Sequence, residues 1–382
     1  MSWWRWIGLD LLSVVRDRAI VLTLFGGLSF YAVLYPSPYL HQVPTEQALV
    51  VVDLDNSSLS RQLVRHADAN PGIAVRGHAA SLAEAQQWLE QERATSILLI
   101  PEDFRHKLLR GQQVTLGYAG DASYFLIYSS VVQGLTQTGM ALAHQVQFGS
   151  LLAHGANPAA VQQRLDPIRL NTVPVFNQGL GYPAYIIPGL FLLILHQTLL
   201  IGTGILGAAQ WGKQGYWHQF SALSIVLCRM GSFTLLYCFF SALYIGWCYY
   251  LYGVGLLASL GQVLLLMLPF LLATACCGVA FSTLFDRRDL PTQVLLISSM
   301  PILFVSGFVW PLPLIPAPLV WLSQLVPAVP GMMGMLQLNQ MGADWSQLLP
   351  RWLQLWGLLL FYLPLAWWGV KRRLRQMDME NA

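Results

Sequence analysis

The chain has 382 residues, of which 55% are hydrophobic and only 10% are charged. Soluble globular proteins carry about 25% charged residues, and the deficit here falls in long blocks, so the sequence reads as an integral membrane protein with one soluble part. A formal charge of +3 is too small to point to nucleic acid as a partner. The cysteines, Cys228, Cys238, Cys248, Cys276 and Cys277, all lie in apolar runs. They imply neither a disulfide framework nor a zinc site and read as small buried hydrophobes.

Ser2–Arg18 is amphipathic. Trp3, Ile7, Leu11 and Val14 recur at helical spacing, with Arg5, Ser13 and Asp17 largely elsewhere. Trp3, Trp4 and Trp6 suit a headgroup interface, so we expect a helix lying on the membrane before a short first span, Ala19–Tyr35. Residues 1–35 form this lead. A cleaved signal peptide is the alternative; the long amphipathic lead and the lack of a small-residue cleavage site favour an uncleaved anchor.

Residues 36–181 alternate in type, as an α/β domain does. Ala48–Leu54 is a continuous apolar run, expected of a strand buried on both faces. Ser58–Asn70 reads as a helix capped by Ser57 or Ser58, and Gly72–His78 as a second strand. Ser81–Glu92 reads as a helix with a Ser81/Glu84 capping box. Ser96–Ile100 is a third strand, and Pro101 opens a helix through Leu109. A strand over Val114–Ala119, a long helix Tyr124–Ala153, a short helix Pro158–Leu165 and a strand Ile168–Val173 complete the domain.

The stretch Val173–Gly207 turns from soluble to membrane sequence. Its first half carries Pro174, Gly179, Gly181, Pro183, Pro188 and Gly189; its second half is apolar. Five more spans are predicted in 182–382: Ala184–Gly207, Ala222–Tyr252, Leu257–Phe285, Pro291–Trp310 and Trp352–Val370, each at or above the roughly 17–25 residues a bilayer needs. From Ala184 to Phe285 only Lys213 and Arg229 are charged. Arg5, Arg16 and Arg18, then Lys213, then Arg287 and Arg288, then Lys371, Arg372, Arg373 and Arg375 fall on one side if six spans leave both termini cytoplasmic. Residues 36–181 are then extracytoplasmic. Pro301–Gly331 is apolar but broken by seven prolines, which predicts a span end followed by a re-entrant outer segment over 311–331.

Chemistry-bearing constellations are few. There is no GxxxxGK[ST], no HExxH, no GxSxG with partners and no paired cysteine ligands. No catalytic or metal site is therefore expected. Asp53, Asp55 and Asp121 read either as a cluster at the carboxyl edge of the sheet or as solvated turn acids. The loop 208–221 is polar and aromatic; Trp211 and Trp217 read either as interfacial anchors or as a docking surface. His196 and Gln197 sit inside the second span, where polar groups usually face a bundle interior or a water path. A neutral His196 bonded to a neighbouring helix is the plainer alternative. Gly204 and Ala208 make a small-xxx-small pair.

Four segments in order resemble the type-2 permease family of ABC exporters, in particular the members with a large extracytoplasmic domain after the first span. They are VVDLDNSSLSRQLVRHADANPGIAV, ILLIPEDFRHKLLRGQQV, FNQGLGYPAYIIPG and SGFVWPLPLIP. The chain departs from the family at Gln178, where the family has Pro, and in Gln210–Tyr216, which lacks the family's acids. The Asp-x-Ser-Asp near the fourth strand is reduced to Gly120-Asp121-Ala122-Ser123.

The resemblance implies a multi-pass bacterial inner-membrane permease with an α-helical membrane domain and an inserted periplasmic α/β domain. It implies that two permease chains pair, identical or not, and that a separate ABC ATPase carries ATP and Mg, so this chain binds no cofactor and is not an enzyme. Gln210, Trp211, Lys213, Gln214 and Trp217 would couple to the ATPase; Asn177, His196 and Gln197 would line the pathway for an apolar or amphiphilic substrate in efflux, such as multidrug export. A membrane-fusion adaptor and an outer-membrane channel are implied partners. A membrane-anchored sensor or envelope assembly factor, whose external domain binds a ligand, is the second reading.

Overall fold

The computed structural model describes residues 3–39, 44–165, 175–176, 182–211 and 215–380. It divides into two compact units, Met1–Leu40 with Pro174–Ala382, and His41–Val173. Helices α1 (Trp3–Arg16) and α2 (Arg18–Leu34) open the first unit. Between them the Asp17 carboxylate accepts from the backbone N–H groups of Ala19 at 3.0 Å and Ile20 at 3.4 Å, a cap that restarts the helix. The buried face of α1 is Trp6, Asp10 and Val14. Of the apolar stripe expected on this helix, only Val14 is buried; Trp3 is exposed, and Ile7 and Leu11 are half-buried. The face that packs is the one containing a carboxylate, which an apolar count scores against.

The second unit runs β1 (Gln47–Asp53), α3 (Ser58–Asp68), β2 (Ile73–His78), α4 (Leu82–Glu90), β3 (Ser96–Ile100), α5 (Phe104–Leu109), β4 (Gly117–Gly120), α6 (Phe125–Ala153) and α7 (Pro158–Leu165). The sheet order is β2-β1-β3-β4. The run Leu49–Val52 makes β1 central, because all four side chains find cover. Leu49 and Val51 join Leu63 of α3 and Val131 of α6; Val50 and Val52 join Ala85 of α4 on the opposite face. Ser57 caps α3 in a capping box with Ser60. Ser81 caps α4, but the Glu84 carboxylate accepts from Ala80 N–H instead of closing the box on Ser81. The helix expected from Pro101 begins only at Phe104, since Asp103 has φ 59°, outside the helical region. The strand expected over 168–173 lies outside the described residues.

β1 pairs in parallel with β2 and β3, whereas β4 runs antiparallel to β3, with Ser96 opposite Gly120. That reversal corrects the three-acid cluster. Asp53 lies opposite Ile100 at the carboxyl edge, but Asp121 donates its N–H to Thr95 at the other edge. Asp53 closes a turn, accepting from Asp55 N–H at 3.1 Å, Asn56 N–H at 3.0 Å and the Ser60 hydroxyl at 2.6 Å, while the Asp55 carboxylate accepts from Arg105 N–H at 3.2 Å.

The chain then forms α8 (Tyr182–Gln210), α9 (Ala222–Leu251), α10 (Leu260–Ser282), α11 (Leu290–Val305), α12 (Ala317–Ser323), α13 (Ala328–Gln340) and α14 (Trp345–Glu380). Among the described residues, α8, α9, α10 and α14 are long and apolar enough to cross a membrane. The pair α12–α13, bent by 90°, counts as a fifth if it is one span. The expected spans Ala19–Tyr35 and Pro291–Trp310 correspond to shorter apolar helices of at most 17 residues, about 26 Å against a ~30 Å core. Gly307, at φ 83°, follows the early end of α11. Helix α10 is central and packs on α8, α9, α13 and α14. Gly207 abuts Ser282, and Gly278 abuts Thr203; these glycines let α8 and α10 approach where a Cβ would collide.

Candidate functional site

The basic loops of the membrane unit gather at one end. The Trp211 indole N–H donates to the Ser282 carbonyl at 2.9 Å, joining the ends of α8 and α10. Arg288 pairs with Asp17 at 2.5 Å, and Arg373 with Asp286 at 2.6 Å. These contacts bring together the α1–α2 junction, the end of α8, the α10–α11 turn and the tail of α14.

Inside that end lies a buried polar network. Asp10 of α1 and Arg229 of α9 are 4% and 2% exposed, and they pair at 3.4 Å. Arg229 also donates to the Gln210 side-chain carbonyl at the end of α8. The Tyr216 hydroxyl donates to Asp10 at 2.7 Å and accepts from Gln210 at 3.4 Å. Burial, and then the Asp10 charge, push the Tyr216 hydroxyl up to about 12, so it stays a donor at neutral pH. Trp6 stacks on Phe220, with ring centroids 4.0 Å apart. The ion pair thus ties α1 to the sequence-distant stretch from the end of α8 to the start of α9. Asp10 Oδ2 and Arg229 Nε and Nη1 have no hydrogen-bond partner among the described residues, so the pair is not fully compensated.

Midway along α8, a cavity of about 340 Å³ is walled by α2, α8 and α11, with Tyr31, Gln197, Thr198, Ser299, Met300 and Phe308 among its lining residues. Its lining is mostly apolar, and Met300 and Phe304 of the α11 wall are exposed. Tyr185 stacks flat on Phe308 with centroids 5.1 Å apart and donates its hydroxyl to the Phe308 carbonyl. Gly189 leaves the room that the Phe308 ring occupies. Gln197 faces this cavity, and neither amide atom has a partner among the described residues. His196, one position earlier, is 0% exposed and does not line the cavity. Neither of its ring nitrogens has a partner among the described residues.

The family described as ABC-2 family transporter protein matches residues 18–368 of the chain. The chain belongs to the ABC-2 transporter family and is a permease. No curated protein matches it.

An ABC-2 permease is a multi-pass membrane protein that works with an ABC ATPase. Of the expected coupling residues, Gln210 and Trp211 are buried and Trp217 is half-buried, so these side chains hold the segment from within. Lys213 and Gln214 lie outside the described residues, as does Asn177 of the expected pathway. Gln197 and His196 diverge, one to the cavity and one into the bundle. Among the described residues no group of three His, Cys, Asp or Glu could hold a metal ion. Sequence reasoning missed Asp10 and Tyr216 and noticed Arg229 only as an isolated charge. The available signal was the four-residue spacing of Trp6, Asp10 and Val14, with Arg229 as the one charge inside α9's apolar run.

Proposed function

We propose that this permease is the transmembrane subunit of an ATP-driven exporter, in which two permease chains pair and a separate ATPase, carrying ATP and Mg, docks at the basic end. Both termini and that end face the cytoplasm, and the α/β unit lies in the periplasm of a bacterial inner-membrane protein. Six spans result if α2 and α11 cross with α8, α9, α10 and α14, and α12–α13 is the re-entrant outer segment. The substrate is apolar or amphiphilic. A membrane-fusion adaptor and an outer-membrane channel would carry it onward from the α/β unit.

The observation that carries this reading is the buried Asp10–Arg229–Gln210–Tyr216 network. It ties the 208–221 segment to α1, α8 and α9, so a displacement of that segment is passed to the bundle. Gln210, Trp211 and Trp217 anchor the segment, and Lys213 and Gln214, between them in sequence, are the proposed ATPase contacts. Gln197 belongs to the pathway at the cavity, and Asn177, outside the described residues, is a further proposed pathway residue. His196 is enclosed by its own chain and reaches a pathway only if the helices part. Single cysteines at Gln112 and Gln376 test the arrangement: they should label from opposite sides of intact cells. Labelling from the same side would overturn it.

A further inference from the structure

We propose that the emerging tail of α14 holds the phosphate headgroup of an anionic phospholipid; this rests on the reading that α14 leaves the membrane at its basic end. The site is a depression of about 440 Å³ lined by Trp367, Trp368, Lys371, Arg372, Arg375 and Met379 with Gln376. Trp368 is 59% exposed, and both indoles stand where the apolar run ends at buried Val370. Exposed tryptophans mark the headgroup level of a span, and the cations begin one helical turn beyond them, about 5.4 Å.

The four basic residues of this tail divide by their partners. Arg373 points inward, bound to Asp286 and the Thr283 carbonyl, and so fixes the helix. Lys371 lies over the Trp367 ring at 4.8 Å and Arg372 over Trp368 at 5.8 Å. Lys371, Arg372 and Arg375 make no ion pair among the described residues. Asp378, one turn beyond Arg375, pairs with none of them either. The indoles orient two cations through their ring faces and leave the cations' N–H groups without a hydrogen-bond partner among the described residues. A headgroup phosphate supplies the missing acceptors, and its acyl chains continue down past the exposed Trp368. An acidic protein surface would satisfy the cations but would leave these indoles without apolar cover.

The test is native mass spectrometry of the purified full chain, titrated with phosphatidylglycerol, phosphatidylcholine or inorganic phosphate. Phosphatidylglycerol should bind at least about tenfold more tightly than phosphatidylcholine. The triple variant K371Q/R372Q/R375Q should abolish that preference, each cation being worth up to about fivefold. The variant R287Q should leave it unchanged, because Arg287 is exposed elsewhere and already paired with Asp289 at 2.8 Å. If the triple variant does not fold, R375Q alone, at an exposed position, should lose about fivefold. Equal affinity for the two lipids, or a preference that survives these substitutions, would overturn the proposal. Inorganic phosphate binding as tightly as phosphatidylglycerol would replace the lipid by a free anion and overturn it as well. Maleimide labelling of Gln376→Cys from outside the cell would overturn the topology alone, leaving the lipid preference in vitro as a separate result.

Discussion

Asp53 in the α/β unit and Asp10 in the membrane unit are both carboxylates at element ends or faces, and they do opposite work. Asp53 takes its hydrogen bonds from Asp55, Asn56 and Ser60, all within one turn of chain. Asp10 reaches Arg229 across a separation of 219 residues and Tyr216 across 206, and one of its oxygens has no partner among the described residues. In the α/β unit Asp53 fixes a local turn, and the core is built around Leu49–Val52 by apolar contacts. In the membrane unit apolar burial no longer distinguishes one helix pairing from another, since lipid is as apolar as leucine; a buried polar tie does. Such a tie links helices that local sequence does not join, so breaking it has long-range consequences.

Substitutions can break this comparison. The largest effect is expected for Arg229→Met, which strands the Asp10 charge and should cost about 3–5 kcal/mol. Adding Asp10→Leu should recover most of that loss, because an apolar replacement of both partners is often neutral. Thermal unfolding in detergent checks both; a double variant as unstable as the single would mean that the pair is not the tie. Asp53→Ala should cost only about 1–2 kcal/mol, read as proteolytic susceptibility of the α/β unit in the full chain.

Tyr216→Phe is smaller still at neutral pH, about 1 kcal/mol, but it sharpens the comparison through pH. The folded hydroxyl is raised to about 12 from an ordinary value near 10. Its stabilising contribution is therefore complete below about pH 10 and is lost as pH rises towards 12. The wild type should lose stability over that window more steeply than the Phe variant; parallel curves would place Tyr216 outside the network. His196→Leu should be neutral or slightly stabilising, because it removes a buried polar group with no partner among the described residues. A loss of several degrees in Tm would reveal a bond that the ring makes in the assembled transporter.

Much of the α/β unit was legible in the sequence. Alternation of apolar runs with capped helices marks β1, α3, β2, α4 and β3, because period and cap chemistry are local. The direction of β4 was not legible, since no residue in 117–120 records its partner's orientation, and the acid cluster failed for that reason. In the membrane unit the long spans follow from hydropathy. The short ones are harder: α11 ends early before the left-handed Gly307, inside a run that stays apolar to Trp310. Expectation also placed Trp211 on a surface, whereas the Ser282 carbonyl draws its indole inward. The network was invisible for a plainer reason: pairing of Asp10 with Arg229 is a tertiary fact between two residues that each break an apolar pattern.

If the network carries ATP-driven motion from the 208–221 segment into the bundle, as proposed, breaking it should uncouple transport from hydrolysis. This is tested most directly by reconstituting the permease with its ATPase and measuring substrate moved per ATP hydrolysed, for wild type and for the Asp10→Leu/Arg229→Met pair that retains the fold. Hydrolysis should persist while the transport ratio falls by about tenfold or more, within the usual range of coupling free energies. An unchanged ratio in the folded double variant would contradict it.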